Sequence, residues 1–130
     1  MKTEAVWERR QDFLTLNPTG EVPVLVEADG TALSGSDAIC EFLDEVHPEP
    51  GLYGRHSLQR AEVRRLIYWF DRKFNIEVTQ NLVSEKIMKR FLGQGEPDSN
   101  VIRAGHANMH QHLEYISFLT DRRKWLAGDD

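Results

Sequence analysis

Cysteine is almost absent: Cys40 is the one thiol in 130 residues. A lone thiol excludes an intramolecular disulfide framework and a cysteine-rich zinc site, and it makes a reducing cytoplasm the default compartment. Long apolar runs are missing too. No stretch approaches the roughly 20 apolar residues that a membrane-spanning helix needs. The opening "MKTEAVWERRQDF" is charged throughout and carries no apolar core of a signal peptide. The third lack is an excess of positive charge, since 16 Lys and Arg stand against 21 Asp and Glu for a net −5. A general nucleic-acid binder needs a basic surface for phosphates. Together these lacks predict a soluble, cytoplasmic protein with neither a membrane nor a nucleic acid as partner.

What is present suffices for a core. The chain is 40% hydrophobic and 28% charged, ordinary values for one globular domain or two small ones. "TEAVW" predicts a short strand, and "ERRQDFLTL" a turn or short helix that ends at Asn17-Pro18. Two apolar, β-branched runs flank Asp29-Gly30, which predicts antiparallel strands near 22–27 and 31–33 joined by a type I′ turn. "SGSDAICEFLDEVHP" predicts a helix with a Ser34–Asp37 capping box and an inward stripe of Ala38, Ile39, Phe42, Leu43 and Val46. His47-Pro48 ends it.

Beyond "PEPGLYGR" only helical spacing remains. Val63, Leu66, Ile67, Phe70 and Phe74 recur at three and four, and Leu82, Val83, Ile87 and Phe91 continue the pattern. "GQGEPDSN" breaks the chain before a further helix from about Val101, with Ile102, Met109, Leu113, Ile116 and Leu119 inward. The expected division is therefore a small α/β unit over 1–48, a linker over 49–56 and an all-α unit over 57–130.

Few side chains offer chemistry of their own. Cys40 falls inside the helix, away from the positive end that could activate a thiol. His106 and His110 have the i, i+4 spacing of a metal pair, but the glutamate of an HExxH motif is missing. They read as a solvated or packing pair, and no metal is expected. Arg64/Arg65, Arg72/Lys73, Lys89/Arg90 and Arg122–Lys124 are interleaved with Glu62, Asp71, Glu85 and Asp121, the pattern of solvated helix faces. The odd stretch is "NPTGEVPVL" (17–25). Pro23 stands at the mouth of a strand although proline cannot donate to a ladder, which marks an edge or a bulge.

Residues 13–48, "FLTLNPTGEVPVLVEADGTALSGSDAICEFLDEVHP", resemble the amino-terminal domain of the glutathione S-transferase family. There an Asn-Pro-x-Gly-x-Val-Pro-x-Leu stretch leads into a hairpin, and a Ser-containing turn opens a helix. The resemblance implies an α/β thioredoxin-like domain, incomplete because its first βα unit is missing, followed by an incomplete all-α helical domain. It implies a cis peptide bond at Pro23 that presents the backbone of Val22 to the cysteinyl part of glutathione as a short added strand. The γ-glutamyl carboxylate falls to the start of the next helix, at Gly35 and Ser36. Ser36 could equally be a mere cap, a job for which Ser34 competes. Gly35 stands where the family commonly has Glu or Gln, so it offers an N–H and no side chain. Trp7 and Arg10 have types suited to the glycyl carboxylate but receive no assignment.

The family's thiol-activating Tyr, Ser or Cys lies in the first βα unit, for which the sixteen residues before Asn17 leave no room. No catalytic residue is identifiable, and "AGDD" stops where a helix cap would begin. The expectation is thus a chain truncated at both ends. In full-length form it would bind glutathione as co-substrate, transfer it to a small electrophile and pair as a homodimer. The alternatives are a non-catalytic binding or interaction module and a glutathione-dependent isomerase or dehalogenase.

Overall fold

The computed structural model describes residues 1–129. The chain divides into two compact units, Met1–Tyr53 and the residues from Gly54 onward. The first unit holds a 3₁₀ turn (Val6–Glu8), helix α1 (Gln11–Leu16), strands β1 (Val24–Val26) and β2 (Ala32–Ser34), and helix α2 (Ser36–Val46).

No strand forms over "TEAVW". The Glu8 N–H reaches the Ala5 carbonyl at 2.9 Å, and Arg9 closes the turn in the left-handed region at φ 48°. The physical reason is the lack of a partner: among the described residues the sheet consists of β1 and β2 alone, and a strand needs a neighbour for its ladder. These two pair antiparallel, with Val24 opposite Ser34, Leu25 opposite Leu33 and Val26 opposite Ala32. Their connection also departs from expectation. Glu27 and Thr31 pair across a three-residue loop, the Gly30 N–H returns to Glu27 at 3.0 Å, and Gly30 alone takes positive φ, at 91°. Asp29 accepts the Thr31 N–H at 2.8 Å instead of adopting the left-handed backbone of a type I′ turn. That bond holds its carboxyl below the usual range.

Helix α2 starts later than a Ser34 cap requires. Ser34 is committed to β2 opposite Val24, and Gly35, at φ 90°, is the residue before the helix, with no side-chain cap bond. The Ser34–Asp37 capping box is therefore not formed. Ile39 is buried and Phe42 half-buried, whereas Leu43 and Val46 are exposed. Asp44 turns inward instead. Its Oδ1 accepts the N–H groups of Leu52 (2.6 Å) and Tyr53 (3.1 Å), which folds the segment after the helix back onto the unit.

In the second unit α3 (Ser57–Tyr68) opens on a capping box between His56 and Gln59. It runs on into a wider-turned, π-type stretch (Trp69–Met88) and then α4 (Lys89–Leu92). The i→i+5 pattern is visible where the Lys89 N–H bonds the Ser84 carbonyl. Gly93 ends this helix at φ 65°. Helix α5 (Ser99–Thr120) follows, capped by Asp98, which accepts the Asn100 N–H at 2.8 Å. Leu66, Trp69 and Leu119 form the core, with Phe70, Tyr115, Ile116 and Leu126 packed on it. Trp69 meets the Tyr115 ring edge-on at 4.8 Å between centroids.

Helix α5 buries Leu119 and half-buries Ile102, Met109 and Ile116, the expected stripe, but Leu113 departs from it. Leu113 is 50% exposed, while Gly105 and His112 are buried. His112 Nε2 lies 3.0 Å from Glu77 Oε2, and its ring is flanked by Trp69 and Phe74. The Glu77 carbonyl accepts the side-chain amides of Asn81 (2.9 Å) and Asn108 (3.1 Å). Such a polar seam competes successfully with leucine because each buried polar group has a partner. Ile87 and Phe91, expected inward, are also exposed.

Ion pairs take up several of the basic residues. Glu85 is buried and accepts from Lys89 and from the Asp98 N–H, both at 2.7 Å, closing the turn between the helices. Glu62 joins Arg65 on α3 to Arg123 in the terminal segment. Among the described residues no helix is long and apolar enough to cross a membrane.

Candidate functional site

The segment that leads to β1 is organised by one buried amide. Asn17 follows α1, is only 2% exposed, and uses both ends of its side chain. Its Nδ2 donates to the Glu21 carbonyl at 2.8 Å, and its Oδ1 accepts from the Thr19 N–H (3.3 Å) and hydroxyl (2.9 Å). The Gly20 N–H bonds the Asn17 carbonyl at 2.9 Å. Gly20 is at φ 73°, and a Cβ there would lie 3.3 Å from Leu14 Cδ2, so the loop closes over a glycine.

Val22 emerges from this loop 55% exposed, and its bond to Pro23 is cis. Neither its N–H nor its C=O takes a backbone partner among the described residues. The Pro23 carbonyl accepts the Gly35 N–H at 3.3 Å. This bond ties the strand entry to the residue just before α2, so Val22, Pro23, Gly35 and Ser36 lie along one edge.

The Gly35 N–H is thus engaged inside the protein and is not offered to a ligand, contrary to the sequence reading. The Ile39 N–H returns to the Gly35 carbonyl at 3.0 Å. Among the described residues that leaves the amides of Ser36, Asp37 and Ala38 as the unsatisfied first-turn donors, at the positive end of an 11-residue helix. Ser36 is exposed, and its Oγ makes only a 3.5 Å contact with Asp37 Oδ1. The edge thus exposes a strand-like backbone at Val22 and open amides at the helix start.

The remaining candidates lie elsewhere or are occupied. Arg10 is committed to Asp12 and faces Glu4 at 3.8 Å. Trp7 and Cys40 are exposed. His106 Nε2 sits 3.0 Å from Lys86 Nζ, and among the described residues no three ligating side chains gather for a metal. Asn17 and Thr19 are the residues that sequence reasoning passed over. The signal for them is an Asx-type pattern in "NPTG", where a polar residue directly follows an apolar helix.

A two-stranded hairpin whose entry abuts the next helix, followed by an all-helical unit, defines the class: a thioredoxin-like domain joined to a helical domain, as in glutathione S-transferases. Comparison narrows it. Residues 2–46 match the family of the glutathione S-transferase N-terminal domain. FtsZ-localized protein A of Caulobacter vibrioides is 45% identical over 125 residues, which cover 94% of this chain and 55% of that protein. The crystal structure of a glutathione S-transferase from Rhodospirillum rubrum F11 superposes with a TM-score of 0.86 at 61% identity, covering 98% of this chain and 57% of that one. FzlA from C. crescentus gives a TM-score of 0.87 at 42% identity, covering 99% and 58%. The chain belongs to the glutathione S-transferase family. It spans little more than half the length of these relatives.

Proposed function

We propose that this chain carries a glutathione-binding edge, and that the whole protein uses it to present the glutathione thiol to a small electrophile. The observation that carries this reading is the Gly35 to Pro23 bond, which joins an exposed Val22 to the open first turn of α2. On this reading the cysteinyl part of the tripeptide pairs with the Val22 backbone as an added strand. Its γ-glutamyl carboxylate takes the Ser36 hydroxyl and the α2 amides. Glutathione itself supplies the nucleophilic sulfur; Val22 and Ser36 bind it, and the Gly35 to Pro23 bond holds those two in place. In transfer, the thiol gives its proton to solvent, and the resulting thiolate forms a bond to an electrophilic carbon as that carbon's leaving group departs with its electron pair. The cytoplasm and a homodimer are the setting this reading expects.

A second reading is a glutathione-transferase-like module that works by association. Two observations favour it: the 45% identity with a protein named for its localisation with FtsZ, and Gly35, which lacks a side chain for the ligand's charged end. Calorimetric titration with glutathione, paired with conjugation, thiol-transfer and isomerisation assays, tests both. The first reading expects binding and turnover. Binding without turnover in any assay favours the module, and no binding removes the edge from the site.

A further inference from the structure

We propose that Asn17 is a positioning residue of this edge: by holding the Glu21 carbonyl, its side-chain amide aims the Val22 N–H at the bound peptide. The inference rests on the reading of Val22 as the residue that pairs with glutathione.

Glu21 and Val22 share one peptide plane. Among the described residues the cis bonds are at Val22–Pro23 and Glu49–Pro50, so the Glu21–Val22 unit is trans, and its C=O and N–H point in opposite directions. Asn17 Nδ2 donates to that C=O at 2.8 Å from an almost fully buried position. The N–H of the same plane is therefore turned away from the buried amide, and Val22 is more than half exposed. Orientation of a ligand-facing donor is set by a side chain that does not reach the ligand.

The amide can do this because it is itself immobilised. Thr19 donates to Oδ1 through both its N–H and its hydroxyl. The Asn17 N–H bonds the Phe13 carbonyl at 3.0 Å, and the Gly20 N–H bonds the Asn17 carbonyl. The position demands one donor and one acceptor on a single planar group, which an amide has and an ionised carboxylate lacks. A general loop stabiliser needs only that the loop close. A positioning residue needs the donor toward Glu21 in particular, and the two roles separate by experiment.

Asn17→Asp preserves size and the Oδ1 acceptor but sets a carboxylate oxygen against the Glu21 carbonyl. Glutathione is titrated into the ¹⁵N-labelled full chain. The expected result is an affinity about tenfold lower, as for one lost hydrogen bond, with the Val22 amide resonance displaced before ligand is added. As pH falls and the introduced carboxyl protonates, its O–H restores the donor, so affinity relative to wild type recovers. Thr19→Val removes only the hydroxyl bond to Oδ1. It should lower the melting temperature yet leave glutathione affinity within about twofold, because the donor toward Glu21 remains. Should Asn17→Asp not fold, Asn17→Ser, whose short hydroxyl falls back from Glu21, carries the same comparison.

Equal affinity losses in the Asn17 and Thr19 variants, following their losses of stability, overturn the inference. So does an Asn17 variant that binds as wild type does, which leaves the glutathione reading standing. A wild-type chain whose Val22 and Ser36 amides ignore glutathione overturns both.

Discussion

Ser36 and Asn17 stand at opposite ends of the exposure range, and that difference decides what a substitution at each one reports. Ser36 is exposed and makes no cap bond to the α2 backbone. Ser36→Ala should therefore leave the unfolding free energy within about 0.5 kcal/mol of wild type. Its glutathione affinity should fall several-fold by calorimetry, and an unchanged affinity removes Ser36 from the site. Gly35 is different again. A Cβ there meets no atom within 4 Å, but the backbone sits at φ 90°. Gly35→Ala should thus destabilise by about 1–3 kcal/mol through backbone strain alone, read from urea melts. Val22 and Pro23 could be singled out from sequence because a proline at a strand mouth breaks a local rule. For Asn17 the sequence signals only a turn, because its bond to Glu21 exists only once the loop has closed.

Among the elements, the contact between α5 and the π-type stretch is the most exacting. A Cβ on Gly105 would lie 2.8 Å from Leu82 Cδ2, 2.9 Å from its Cγ and 3.0 Å from Asn81 Cβ. Gly105→Ala gains at most about 1 kcal/mol of helix propensity, against about 1–3 kcal/mol for overpacking. The expected outcome is a net loss of stability in chemical denaturation, and a stabilised variant would show that the helices part easily. This approach also explains why the apolar period misplaced Leu113. A stripe counted at three and four assumes that leucine faces the core, whereas α5 buries Gly105 and His112 along Leu82, Asn81 and Glu77. The hairpin shows the same limit. Asp29-Gly30 located the turn, but a carboxylate bond to Thr31 chose a three-residue loop.

At the scale of the whole molecule, the net charge of −5 hides how many carboxylates are paired. Glu62 is held at about 2 by hydrogen bonds from Arg65 and then Arg123. Lys89 and the Asp98 N–H pull Glu85 below the carboxylate range, and Lys73 with His112 does so for Glu77. A carboxyl depressed in the folded state binds fewer protons there than in the unfolded chain. Its stabilisation is full above the unfolded value near 4.5 and is lost as pH falls toward about 2. Glu62→Gln should therefore cost about 1 kcal/mol at neutral pH, the upper range for a partly exposed pair. The gap to wild type should close between pH 4.5 and 2, measured by denaturation across that window. A gap that persists at pH 2 would mean that Glu62 acts through packing.

The sequence by itself determined the order of the elements from the short helix before Asn17 onward, the break in character near residue 50, and the proline that stands beside a helix start. Those are properties of neighbouring residues: backbone donors, turn preferences and helical spacing. Tertiary structure decided which groups are spent and which are free. Gly35 gives its N–H to Pro23, Ser34 joins a strand rather than a cap, and Asp44 turns inward to hold Leu52 and Tyr53. A hydrogen bond needs a partner at about 3 Å, and only the folded chain brings residues far apart in sequence to that distance.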